Sequence, residues 1–327
     1  MTTPATPSSV SPVSSGSSAS ALSAPSFLTE TLPEGGPGVG SSTGQSAARP
    51  ESVFRAALRL MRTKIGALIS VTIMAIALFG PMVAPNGSNE YIDSPFQRHV
   101  KGLFLGTDYS GYDVFSRFLH GGRSILVLAF FSTVIGVGMG GLLGMAAAYL
   151  RGRLDEVLMR TLDTFLAFPQ LLLSLIVIAM FEPKPIVVIL TVGLTTVPRV
   201  ARVVRGAALG VVERDFIGAA EAIGESRLRV LLSEVLPNVS STLLVEANLR
   251  FTYAIGLIAS LAFLGFTPEL GIANWGLMIQ ENGSALTVQP WGVFLPTFAI
   301  ALLTVGNGLV ADGLSRAIAG VDRAKAE

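Results

Sequence analysis

FIGAAEAIGESRLRVLLSEVLPN, from Phe216 to Asn238, is the stretch around which the chain is organised. It holds Glu221, Glu225, Arg227, Arg229 and Glu234, so it cannot itself cross a bilayer, yet apolar segments long enough to do so flank it. Ala219, Ala220, Ala222 and Ile223 favour a helix. Gly224 interrupts that helix, and a second short one is expected from Ser226 to Val235, stopping at Leu236-Pro237. Two short helices joined at a glycine hinge and held between spans would form a rigid protrusion that another protein can grip. The same residues also suit an ordinary amphipathic loop.

Composition places the rest of the chain around that loop. The chain has 327 residues, 50% hydrophobic and 14% charged, a balance that fits a polytopic membrane protein. Its net charge of +1 offers no global basic field for nucleic acid. There is no cysteine, which excludes disulfides and thiolate metal sites, and the two histidines, His99 and His120, are too few and too far apart to suggest a metal centre.

The expected fold is an all-α membrane protein of six transmembrane helices. Residues 1–48 are Ser, Thr, Pro, Gly and Ala with almost no charge, and read as a disordered cytoplasmic tail. A basic lead-in, 49–64, with Arg55, Arg59, Arg62 and Lys64, precedes a domain over 65–315. Its spans are expected at about 65–84, 124–150, 164–181, 186–206, 243–266 and 291–311, with the protruding loop at 210–238 and a tail at 316–327. The polar loop from Asn86 to about Gly122 carries Gly106, Gly111 and Gly121, read as tight turns. Gly136, Gly140 and Gly144 share one face of the second span, a spacing that lets helix backbones approach closely in lipid. Pro169 is expected to kink the third span. Arg199, Arg202 and Arg205 read as anchors snorkelling to headgroups. Glu246 and Arg250 are spaced for an intrahelical ion pair. Trp275 and Trp291 suit a membrane interface. With both termini inside, 17 of the 23 Lys and Arg fall in cytoplasmic segments and five in outer loops, as the positive-inside rule expects.

Ala219-Ala220, Gly224 and Leu236-Pro237 resemble the cytoplasmic "EAA...G...LP" loop of bacterial ABC-importer permeases, with Gly218 where that family usually has Glu. Other segments agree. LGTDYSGYDVFSRFLHGGRS, Leu105 to Ser124, resembles the "LGTDxxGRDVxSRxxxGxR" segment of the second permease subunit of dipeptide, oligopeptide and nickel importers, with Tyr112 at the usual Arg position. LAFPQLLLSL around Pro169, PRVARVVRGAAL from Pro198, SLAFLGF from Ser260, NWGLMIQENG and Asp312-Gly313-Leu314 resemble further family segments.

The resemblance implies a transport subunit in the bacterial cell membrane rather than an enzyme. It implies a homologous permease partner, two P-loop ATPase subunits, an extracytoplasmic binding protein and surrounding lipid, with no nucleic acid. ATP and Mg would be bound by the partner ATPases, for the chain has no GxxxxGK[ST] loop and no cofactor or metal site of its own. Gly218, Ala219, Ala220, Glu221, Gly224, Leu236 and Pro237 would form the ATPase-coupling site, with Gly224 the hinge and Pro237 a fixed corner. Di- or oligopeptides are the expected cargo, and nickel chelates or other small solutes the alternative. An ion-driven transporter would need acids at membrane depth and an internal repeat. A membrane-embedded enzyme would need a reactive constellation, and the spans show none. An inert scaffold stays open on pattern alone.

Overall fold

The computed structural model describes residues 57–98, 101–267 and 273–326. The tail expected over 1–48, and 49–56 of the basic lead-in, lie outside the described residues. The described chain is helical, with only isolated bridges between Tyr91 and Tyr112 and between Thr107 and Asp113. Five helices are long and apolar enough to cross a membrane, or six if one bent pair counts as a span.

Helix α1, Met61–Val83, is followed by a loop and by α2, Val114–Leu150. α2 begins ten residues before the span expected at 124. Asp113 caps it, accepting from the Phe115 and Ser116 amides at 3.1 and 3.3 Å. The extra turns can carry Arg117 because acids beside it neutralise its charge. Gly106 and Gly111 do sit in turns at φ 79° and 80°, but Gly121 lies inside α2, against the Trp275 ring.

The third span departs most from expectation. The expected 164–181 takes in only the end of α3 (Gly152–Leu166) and all of α4 (Gln170–Phe181), two helices bent by 82° at a break that makes the pair either a broken span or a re-entrant loop. Pro169 does not kink a continuous helix; it stands at the N-cap of α4 with ψ 122°. Its ring disfavours helical geometry at Phe168 and removes an amide from the ladder, so the helix ends and restarts. Helix α5, Pro185–Val212, follows with proline at its first position. Short α6, Asp215–Ala222, comes next.

Helix α7 runs from Arg227 to Phe263. The stop expected at Leu236-Pro237 does not occur: residues Val230–Val235 form a π-helical segment and the helix continues through Pro237. The wider turn relieves the clash between a proline ring and the preceding turn, and Asn238 Nδ2 donates to the Glu234 carbonyl at 2.7 Å. Helix α8, Trp275–Asn282, and α9, Trp291–Ala326, complete the order.

α2 and α5 form the centre. A Cβ at Gly140 would lie 2.6 Å from Val200 Cβ, and one at Gly144 2.5 Å from the Ala201 carbonyl, so the glycines set the distance between the two backbones. α9 packs along α1 with Gly66 and Gly306 at the crossing. The main core joins Ile125, Val188, Val192, Ile255, Ile258 and Leu303 with Trp275. Trp275 is wholly buried, donating Nε1–H to the Phe118 carbonyl at 2.9 Å, so it plugs the core rather than standing in an interfacial belt. Trp291 is 46% exposed.

Candidate functional site

The protruding segment forms at the α5–α7 junction. Two residues, Glu213 and Arg214, separate α5 from α6. Ile217 turns inward among Val204, Ala208, Val211, Val230 and Val235 and is 2% exposed. Burying that side chain contributes about 2 kcal/mol against water and fixes α6 to the ends of α5 and α7.

Gly224 closes α6 at φ 84°. Its amide donates to Glu221 O at 3.0 Å, and the Glu225 amide donates to Ala220 O at 3.2 Å. This is a Schellman cap, which needs a left-handed residue at that position and satisfies two terminal carbonyls. The expected interruption is there, and its geometry is that of a bonded cap.

The seven expected site residues divide by burial. Gly218, Ala219, Glu221 and Gly224 are exposed on α6 and its cap. Ala220 is half-buried and packs on the cluster around Ile217, as does Leu236. Pro237 is exposed, but on the continuous helix α7, so it makes no corner. Beside Gly218 and Glu221, a recess of ≈ 550 Å³ is lined also by Tyr149, Arg151, Glu213, Arg214 and Asp215. Arg151 and Glu213 approach to 3.5 Å across it.

Ile223 (78% exposed) and Leu228 (65% exposed) project beside this cap, with Leu232 and Phe216 also open. They were not among the expected site residues. Large aliphatic side chains within an otherwise charged loop are the signal that singles them out.

The other end of α2 is a structural cap. Arg117 is buried between Asp108 and Glu281, with Nη1 to Glu281 Oε2 at 3.0 Å and the Asp108 contact shorter still. The Tyr112 ring lies 5.4 Å beneath the guanidinium. Asp108 also accepts the Ser110 and Tyr112 amides at 2.9 and 3.0 Å. The Tyr109 amide donates to Asn282 Oδ1 at 3.1 Å, and Gln289 Nε2 to the Leu105 carbonyl at 2.7 Å. The loop before α2 is thereby tied to α8 and its following turn. Burial pushes the Glu281 carboxyl above its usual range, opposed by Arg117.

Glu246 and Arg250 form the expected pair on α7, Nε to Oε2 at 2.8 Å, with Tyr253 5.6 Å from the guanidinium. Arg199, Arg202 and Arg205, expected as headgroup anchors, each have a polar partner within the protein. They contact Gln170, Asp163 and Asp155 on the α3–α4 segment. Among the described residues no group of three or more His, Cys, Asp or Glu could hold a metal ion.

Residues 140–320 match the family model for the binding-protein-dependent transport system inner membrane component. A dipeptide transport system permease protein, DppC, of Alkalihalophilus pseudofirmus is 31% identical over 258 residues, 78% of this chain and 84% of that protein. A glutathione transport system permease protein, GsiD, of Pectobacterium atrosepticum is 32% identical over 77% of this chain and 84% of its own length. A putative peptide transport system permease protein of Brucella suis is 34% identical, covering 80% and 90%.

Proposed function

This chain belongs to the family of binding-protein-dependent transport inner membrane components, and from that premise we propose that it is the second permease subunit of an ATP-driven importer of small peptides. It is a multi-pass inner-membrane transport component, not a catalytic chain. In this reading it pairs with a homologous permease and two P-loop ATPases, which bind ATP and Mg, and receives cargo from an extracytoplasmic binding protein. Both termini and residues 210–238 face the cytoplasm.

The observation that carries the reading is α6. A short helix held rigidly at Ile217 and capped at Gly224 presents Gly218, Ala219 and Glu221 outward between two spanning helices. Small residues on that face let the backbone approach a groove closely, and Ile223 and Leu228 add an apolar contact. ATP-driven closure of the ATPase pair would displace α6 and switch the spans between outward- and inward-open arrangements. The relatives named for dipeptide, glutathione and peptide transport favour peptide cargo, glutathione being itself a tripeptide.

The test uses the complete complex in proteoliposomes, with labelled dipeptide and glutathione uptake measured beside ATP hydrolysis. Gly224→Pro, which cannot keep the cap, and Ala219→Arg, on the open face, are expected to abolish uptake or leave ATPases unbound. Wild-type uptake in both variants would remove the coupling role. Preference of the wild-type complex for glutathione over dipeptides would move the cargo assignment.

A further inference from the structure

Three polar contacts step along one side of α5, and all reach the α3–α4 segment. Arg205 grips Asp155 with both sides of its guanidinium, Nε to Oδ1 at 2.6 Å and Nη2 to Oδ2 at 2.5 Å. One turn earlier Arg202 pairs with Asp163. A turn earlier again, Arg199 Nη1 donates to Gln170 Oε1 at 2.5 Å, and Gln170 Nε2 donates to Thr195 Oγ1 at 3.1 Å. Asp155 and Asp163 lie on α3, and Gln170 is the first residue of α4. The rungs therefore cross the break at Ala167–Pro169.

Apolar packing holds one side of α4: Ile178 lies in the main core, with Leu171 and Leu175 against it. Only Ser174 and Ile178 on it are buried, while Leu172, Ile176 and Met180 are exposed. Between α4 and α5 lies an apolar groove of ≈ 580 Å³, walled by Leu173, Val177, Leu190, Leu194 and Pro198 among others. Along that groove α4 lacks close packing. Its foot at Gln170 carries polar contacts to α5. α5, in turn, reaches α6 through only Glu213 and Arg214.

We propose that these three rungs yoke α3 and the foot of α4 to α5, so that displacement of α6 is delivered to α4. Asp155, Asp163, Gln170, Arg199, Arg202 and Arg205 are then positioning residues for transport. The inference rests on the coupling reading of α6.

Asp155→Arg and Arg205→Asp are made singly and together in the complete complex, with Gly224→Pro alongside. Co-purified subunits, ATP hydrolysis and import per ATP are measured, using whichever of labelled dipeptide or glutathione the wild-type complex imports. Each single change is expected to leave ATP hydrolysis running while import per ATP falls about fivefold, and the swapped pair to recover to within about twofold. Gln170→Leu and Gln170→Glu reverse no charge pair and keep the question open to test if the first variants do not assemble. Gln170→Leu is expected to lower import per ATP about threefold, and Gln170→Glu, which still accepts from Arg199, to keep it. Normal import per ATP in the single variants and in Gln170→Leu overturns the yoke, as does a swap that assembles but recovers nothing. If Gly224→Pro also transports normally, the coupling reading itself has failed; if only the rung variants do, the yoke alone has.

Discussion

At the scale of single residues, glycine and buried charge do the most specific work. Gly144 meets the Ala201 carbonyl and the Arg205 amide, and backbone cannot step aside as a side chain can. Gly138, on the same helix, has open space around its missing Cβ. Gly144→Leu is expected to destabilise the protein by upwards of about 1–3 kcal/mol, and Gly138→Leu to be nearly neutral, read as thermal unfolding in detergent. The Asp108–Arg117–Glu281 cluster gives a second contrast. Asp108→Asn keeps an oxygen for the Ser110 and Tyr112 amides but removes the charge and the acceptor that face Arg117, and is expected to cost about 3–5 kcal/mol. Glu281 behaves oppositely with pH. Its carboxyl titrates above its unfolded value, so its contribution to stability is greatest in acid and is lost as pH climbs from the ordinary carboxylate range through the raised one. Glu281→Gln is therefore expected to flatten the fall of Tm as pH rises above the ordinary carboxylate range, with Arg117 still held by Asp108.

At the scale of elements, α6 and α7 show how local chemistry and context divide the outcome. Gly224 predicts a break, and the structure supplies one with a left-handed residue and two capping bonds. Gly224→Ala is expected to cost about 1–2 kcal/mol, measured as a lowered Tm, while Gly224→Pro additionally removes the amide bonded to Glu221. Leu236-Pro237 predicts a stop and is overruled. A π-helical turn and the Asn238 side chain give the carbonyls near Pro237 other geometry and another donor, so α7 continues. Pro169 goes the other way: no π-helical segment carries the helix through it, and an expected kink becomes an 82° break. The two prolines differ in what surrounds them, which local sequence does not encode.

At the scale of the whole molecule, the charge pattern predicts orientation, and the absence of cysteine makes it directly testable. In intact cells expressing this chain without ATPases, an impermeant maleimide is expected to label Phe104→Cys at once and Ile223→Cys only after permeabilisation. Both side chains are well exposed. Reversed labelling would put α6 outside and end the ATPase reading. What the sequence determined by itself was the class of molecule: helical and membrane-spanning, with α6 as a charged interruption between spans and Gly136, Gly140 and Gly144 as a packing face. Those features are written in local composition and period, which hydrocarbon thickness and backbone hydrogen bonding read directly. Only the tertiary structure decided that α2 starts at Val114, that Trp275 is a core plug, that Ala220 faces inward while Ala219 faces out, and that three arginines on α5 hold α3 and α4. Each of those depends on a partner distant in sequence, such as Asp155 for Arg205 or Asp108 and Glu281 for Arg117, and the cost of burying a charge is settled only when that partner arrives.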